Sequence, residues 1–465
     1  MSRATERRVF AALFALAVVA WLLIPTYPNY DSYTHLVWGR ELLHGHSPSF
    51  EGFAAPTEHP LFLALCAVLD AVFGDHADRW LILACVLSFV SLVWAVFRLG
   101  RVCFGLWPGA LGALFCSSSF ALLLLAARGY VDVPFLAVVF WAAVLEAERP
   151  RERTRLVGSM LAVAGLLRPE AWVLAGLYWL WCGYRRWDIL VLAAVGPVIW
   201  AAVDLAVTGD PLFSLHATSA LAGDLNRVRG ISHVPRSFVS FLSDTARPPV
   251  FLAGLAGLAL LLRRRGPAGH VPLALLGAGT LAFVGTGIAG LSILPRYLTV
   301  PAVALCPLAG YAVAGFTTLS AGRTRELWRR AAYGAALVGV AFLGIKASSF
   351  TKLARELRFI HHTHEVVIGF SSSPGLTRCR PVTLPTYRLV PDLRFALHDD
   401  RGRVVSSRAE LGIDHAGTAV FVTVEEKAIK RFGQADGVSR ATNRPEARDN
   451  RLVARRGFLT AFDRC

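Results

Sequence analysis

An all-α polytopic membrane protein carrying a small α/β tail is the fold class this sequence predicts, and three observations predict it. First, 55% of its 465 residues are hydrophobic and only 17% charged, with a mean hydropathy of +0.50. Soluble domains run near 45–50% apolar and about 25% charged. Second, apolar runs recur at roughly the 17–25 residues that cross a bilayer. Third, the composition turns polar after about residue 350. The net charge of +16 would suggest nucleic acid in a soluble protein. Here it reads as arginine in cytoplasmic loops, so no nucleic-acid partner is expected. Eight cysteines are ordinary usage and exclude a disulfide scaffold.

The elements follow in order. Arg3, Arg7 and Arg8 precede an apolar run from Val9 to about Pro25. No small-x-small site with a polar exit follows it, so a signal anchor is expected, with the amino terminus cytoplasmic. Residues 26–78 form a long first outside loop in which His59–Phe73 is too short to span and reads as an interfacial or re-entrant helix. Further spans are expected near 79–97, 106–126, 132–147, 156–167, 170–184, 188–206, 249–262, 269–289, 297–316 and 331–347, about eleven in all. Under that register about eighteen arginines face the cytoplasm and about nine lie outside, spread over more residues. The loop at 207–248 is long, outside and poor in apolar runs, which suits acceptor binding or gating. Residues 1–349 thus make the transmembrane module and 350–465 an extracytoplasmic domain of the cell membrane. In that tail Thr418–Val424 and His364–Phe370 read as strands and Glu425–Phe432 as a short helix. Cys379 and Cys465 are able to pair outside the cell or to remain free thiols. The bias of arginine over the four lysines points to a GC-rich, bacterial source.

The polar residues at the outer interface are where chemistry is expected. Asp31, His35 and Trp38 fall at i, i+4 and i+7, on one helical face. A carboxylate just beyond a span suits a general base, because apolar surroundings raise basicity. The competing reading makes Asp31 a helix N-cap and Trp38 a belt aromatic. Arg128 and Asp132 in RGYVDVP, Arg168 in LLRPEAW and Arg296 in PRYL gather at the same interface. Capping, a turn-closing Arg168–Glu170 pair and headgroup snorkelling are their bland roles. Together, two aspartates and three arginines on one side fit a lipid-linked phosphate substrate.

The order of parts resembles the GT-C superfamily of membrane glycosyltransferases, which includes polyprenyl-phosphate-mannose-dependent mannosyltransferases and lipid A aminoarabinose transferases. The residues carrying the resemblance are YDSYTHLVWGRELLHGHSP, PTEHPLFLALCAVLDAVFG, RGYVDVPF, LLRPEAW and PRYL, covering roughly residues 5–320 in layout. The resemblance implies that Asp31 is the catalytic base. It places second acidic or acceptor-site positions at Asp132 and at Glu58 of PTEHP. His35 would orient the acceptor or a phosphate, while Arg296, with Arg128 or Arg168, would bind the donor phosphate. Ser32 stands where some members carry a second acidic residue next to the base. One carboxylate and a histidine make a poor site for a hard divalent cation, so no metal or other cofactor is expected there. His361, His362 and His364 lack cysteine or carboxylate at zinc spacing and read as the start of an interfacial helix.

The expected reaction is transfer of a sugar from a polyprenyl-phosphate donor to a lipid, glycan or protein acceptor hydroxyl. Direct displacement would invert the anomeric carbon. A transporter or flippase of lipid-linked sugars shares the arginine-lined surface, but it should show mid-span charges and related halves. A non-catalytic subunit of an envelope-assembly complex would look much the same.

Overall fold

The structure is a computed structural model describing residues 2–50, 54, 57–264, 269–345, 348–399, 403–406, 416–434, 443 and 451–463. Every apolar run the sequence marks as a span is helical. They begin with α1 (Arg3–Leu23), capped by Ser2. After the loop come α2 (Tyr30–Leu43), α3 (Pro60–Phe73) and α4 (Ala77–Phe104). Pro60 opens α3 at its first turn. Gly74, at φ +51°, ends it and separates it from α4. Then follow α5 (Leu106–Ser117), α6 (Phe120–Ala127), α7 (Asp132–Glu148), α8 (Thr154–Leu167), α9 (Glu170–Cys182) and α10 (Trp187–Thr208). The series continues with α11 (Phe213–Asp224), α12 (Val234–Ala246), α13 (Pro248–Arg264), α14 (His270–Ile288), α15 (Thr299–Ala314) and α16 (Arg323–Ile345).

Among the described residues, four helical segments are long and apolar enough to cross a membrane: Pro60–Phe104, Trp187–Thr208, His270–Ile288 and Pro295–Thr318. Two bent pairs raise this to six, α5 with α6 at 60° and Ile231–Ala246 with Pro248–Arg263 at 108°. The other expected spans are helical but shorter or more charged. For example, α8 has 14 residues, about 21 Å against a core of about 30 Å. The outside of the bundle is apolar, with Leu16, Val191, Leu252 and Leu337 exposed, as a lipid-facing surface requires.

The centre of the bundle is α15, almost wholly buried, with α4, α5, α7 and α13 around it. Lipid supplies no hydrophobic drive between helices, so close backbone approach has to hold them. Glycine makes that approach: a Cβ on Gly310 would lie 2.1 Å from the Pro108 carbonyl oxygen, and one on Gly257 2.0 Å from that of Leu308.

The tail is built on α17 (Ser348–Ser371), α18 (Val390–Ala396) and the short α19 (Glu426–Ala428), with five strands. These are β1 (Val382–Leu384), β2 (Val404–Ser406), β3 (Thr418–Val422), β4 (Arg451–Arg456) and β5 (Leu459–Asp463). They form one mixed sheet in the order β2-β1-β3-β5-β4, with β1 parallel to β2 and β3 and the β3–β5–β4 ladder antiparallel. The strand expected at Thr418–Val424 is β3, and the helix expected at Glu425–Phe432 is α19 with the turn that follows it. His364–Phe370, expected as a strand, is instead the end of α17. Ile360, Thr363, Val366, Val367 and Phe370 are buried at helical spacing, which the β-branched run masks. For the same reason Arg358–His364 lies in the middle of a helix rather than at its start. The long 207–248 loop is likewise folded, as α11 and α12. Cys379 is disulfide-bonded and the other described cysteines are free, while Cys465 lies outside the described residues.

The tail docks on α2. The Arg394 guanidinium donates to buried Glu41 at 2.5 Å. Arg40 donates to the Phe395 carbonyl at 2.9 Å while paired with Asp70 at 2.7 Å.

Candidate active site

Where α1 ends, the backbone turns and α2 begins, Asn29 is the cap. Its side-chain oxygen accepts from the amides of Asp31 (2.8 Å) and Ser32 (3.4 Å). Its amide nitrogen donates to the Arg128 carbonyl at 3.0 Å. Asp31 is therefore free of capping duty. Trp38, fully buried and donating to the Ser49 carbonyl at 3.2 Å, is not a belt aromatic. The helical face predicted for Asp31, His35 and Trp38 exists, with the His35 and Trp38 rings 5.2 Å apart.

Asp31 opens into a cavity of about 580 Å³. Its floor is the loop after α1, the ends of α6 and the 292–299 segment. One side wall comes from α11 and the roof from α17, α18 and the residues around Arg431. Five arginines line it, Arg128, Arg227, Arg296, Arg388 and Arg431, against two aspartates, Asp31 and Asp392. Arg296 Nη1 meets Asp31 Oδ2 at 2.9 Å, with both side chains about one-third exposed. Its Nε–H is buried without a hydrogen-bond partner. Arg128 and Arg227 make no ion pair among the described residues. Burial lowers the Arg128 guanidinium below its usual range, and Arg431 nearby adds to that. Tyr130 lies within electrostatic reach of Asp31, Arg128 and Arg296 at once, which places the three around one spot. A desolvated guanidinium such as Arg128, with no ion-pair partner among the described residues, gains most from binding an anion.

The remaining predicted residues sit behind this wall. Arg168 is 3% exposed and held by Asp132, which is fully buried, and by Glu170 at 2.5 Å. Its guanidinium also lies 5.6 Å from the Tyr297 ring. This triad ties α7 and α9 to the segment carrying Arg296, and neither Arg168 nor Asp132 is among the described residues lining the cavity. His35 donates through Nδ1 to the Asp31 carbonyl at 2.6 Å, since a carbonyl only accepts. Burial holds its pKa down at about 4, so it is neutral. Glu58 is buried with neither oxygen hydrogen-bonded, and burial, then Asp204, pushes its carboxyl up to about 8.

Several lining residues were not singled out from the sequence. His59, next to Glu58 in PTEHP, reaches the cavity, and burial holds it well below the usual imidazole range. Arg388, Asp392 and Arg431 come from the tail, and no local spacing announces them. Burial pushes Asp392 up to about 7, with Arg128 opposing. Arg431 is anchored by Glu356. Among the described residues no group of three or more His, Cys, Asp or Glu side chains is arranged to hold a metal.

Neither a protein-family model nor a curated protein matches the chain by sequence. Solved structures match by fold. Over 100% of this chain and 99% of the other, ArnT from Cupriavidus metallidurans bound to undecaprenyl phosphate superposes with a TM-score of 0.59 at 13% identity. ArnT in the apo state gives 0.57 at 14%, with the same coverage. The Archaeoglobus fulgidus oligosaccharyltransferase tethered to an acceptor peptide covers 80% of this chain and 58% of its own, with a TM-score of 0.46 at 12% identity. The fold is that of ArnT. The likeness spans the whole chain, the tail included.

Proposed function

We propose that this chain is an inverting glycosyltransferase that moves a sugar from a polyprenyl-phosphate donor to an acceptor hydroxyl at the outer face of the membrane. One observation carries the reading. A cavity at the ends of the bundle helices sets Asp31, at the start of α2, against an excess of arginine, five guanidiniums to two aspartates. The full-length likeness to ArnT, solved with undecaprenyl phosphate bound, supports a lipid phosphate as the anion. The distribution of arginine supports the outer face, the side on which α17, α18 and Arg431 roof the cavity.

In this mechanism the donor phosphate sits between Arg296 and Arg128. Arg296 keeps Asp31 on Nη1 and offers its unpaired Nε–H to phosphate. Asp31 takes the acceptor's hydroxyl proton. The acceptor oxygen bonds to the anomeric carbon as the bond from that carbon to phosphate oxygen breaks, and the electron pair leaves with the lipid phosphate. The two guanidiniums neutralise the charge that develops. Arg168 and Asp132 are positioning residues in this scheme, and α11 with Arg227 forms the side on which the acceptor enters.

The test is sugar transfer by the full-length protein, reconstituted with radiolabelled polyprenyl-phosphate sugars and a membrane extract as acceptor. Labelled product is expected, with Arg128→Ala raising the donor KM about 10–100-fold, the worth of one charged hydrogen bond. Absence of product with every donor, from folded protein, would hand the fold to a flippase or a non-catalytic subunit.

A further inference from the structure

A second charged cavity, of about 510 Å³, lies at the other end of the same helices. It sits where α1 begins and where α4 and α7 end. Asp78, joined to the first cavity through Tyr33 and His364, and Arg101, which lines the second, both lie on α4. Their 23-residue separation is about 35 Å along a helix, close to the thickness of a bilayer core. The two cavities therefore face opposite leaflets.

The inner wall of this cavity is built rather than merely charged. Glu6, 2% exposed, accepts from Trp94 Nε1 at 2.9 Å, from Arg98 at 3.2 Å and from Arg101 at 2.7 Å. Arg98 also reaches Glu148. Two carboxylates thus hold two guanidiniums in place, so little side-chain entropy is lost when a further anion arrives. Three more arginines stand around this core. Arg149 meets only Glu152, at 3.6 Å and with both exposed, while Arg7 and Arg153 make no ion pair among the described residues. The lining carries five arginines against two glutamates, an excess of three positive charges. Val102 supplies an apolar, solvent-accessible part of the wall.

We propose that this cavity binds the phosphodiester headgroup of an anionic phospholipid from the leaflet opposite the Asp31 cavity. Basic pockets between transmembrane helices are suited to such headgroups. The guanidiniums held by Glu6 fix the phosphate's position, Arg7 and Arg153 close on it, and Val102 starts the apolar path of the chains. The site is independent of the proposed transfer reaction. It joins the start of α1 to the ends of α4 and α7, so a lipid there braces the bundle at the end away from the chemistry.

The probes are phosphatidylglycerol, phosphatidylcholine and inorganic pyrophosphate, with the full-length protein in detergent and bound lipid counted by native mass spectrometry. The wild type is expected to retain phosphatidylglycerol over phosphatidylcholine. Arg7→Ala with Arg153→Ala leaves the Glu6 core intact and is expected to weaken that retention about tenfold or more, since each basic residue near a charged membrane surface counts for about fivefold. Arg7→Lys with Arg153→Lys restores most of it, which separates lost charge from lost folding. Equal retention of the two lipids by the wild type, or equal phosphatidylglycerol retention by wild type and alanine variant, would overturn the site. Displacement of the lipid by pyrophosphate at matched phosphate would overturn the lipid assignment in favour of a soluble polyanion.

Discussion

Arg168 is the residue for which sequence and structure point to different work, and a stability measurement separates them. Its guanidinium is 3% exposed and bound to Asp132, which is 0% exposed, and to Glu170. Arg168→Met leaves two carboxylates buried without their cation. Breaking a buried pair in this way costs about 3–5 kcal/mol, a fall of about 3–5 °C in Tm for a chain of this size. The refolded fraction should keep the wild-type donor KM, because the side chain stands behind the cavity wall. Arg168→Met with Asp132→Asn removes the worst unpaired charge, so it should be more stable than the single variant. A double-mutant cycle by thermal unfolding in detergent reads that coupling. If Arg168→Met kept the wild-type Tm and raised only the donor KM, Arg168 would be a phosphate ligand and the clamp assignment would fail.

Other expectations follow from the same geometry. Asn29→Ala removes the α2 cap and the tie to the Arg128 carbonyl, so a loss of about 1–2 kcal/mol and a lower kcat are expected together in unfolding and transfer assays. Glu58 has a folded pKa near 8, above its unfolded value, so the stability it contributes is full at acid pH and lost as pH rises toward 8. Wild-type Tm should therefore fall relative to Glu58→Gln between pH 5 and 8, by about 1.4 kcal/mol per unit at most. Parallel pH profiles of the two proteins would refute it. Gly310→Ala drives a Cβ into the Pro108 carbonyl and should cost about 1–3 kcal/mol, read as a lower Tm, whereas Gly277→Ala, with open space, should not.

Much of this was legible in the residues. The face shared by Asp31, His35 and Trp38 came from spacing alone, and the apolar runs located the helices from α4 to α10 and from α13 to α16, but not α11 and α12. What stayed hidden is long-range. Arg128 and Arg168 look alike in sequence, each an arginine before a polar break. They part only because Asp132 and Glu170 fold against one and not the other. The tail's arginines line the same cavity as Asp31 from more than 350 residues away in the chain, so no local pattern encodes them. Val366, Val367 and Ile368 read as a strand because β-branched side chains favour one. The burial pattern along the whole of α17 overrides that preference, since only a helix buries Ile360, Val367 and Phe370 together.

The central claim is that Asp31 is the base in a cavity made for a lipid phosphate. Kinetics of sugar transfer by Asp31→Asn against wild type, with matched Tm, test it most directly. Loss of about 10²–10⁴-fold in kcat at a donor KM near wild type is predicted. Full transfer activity in folded Asp31→Asn would contradict it.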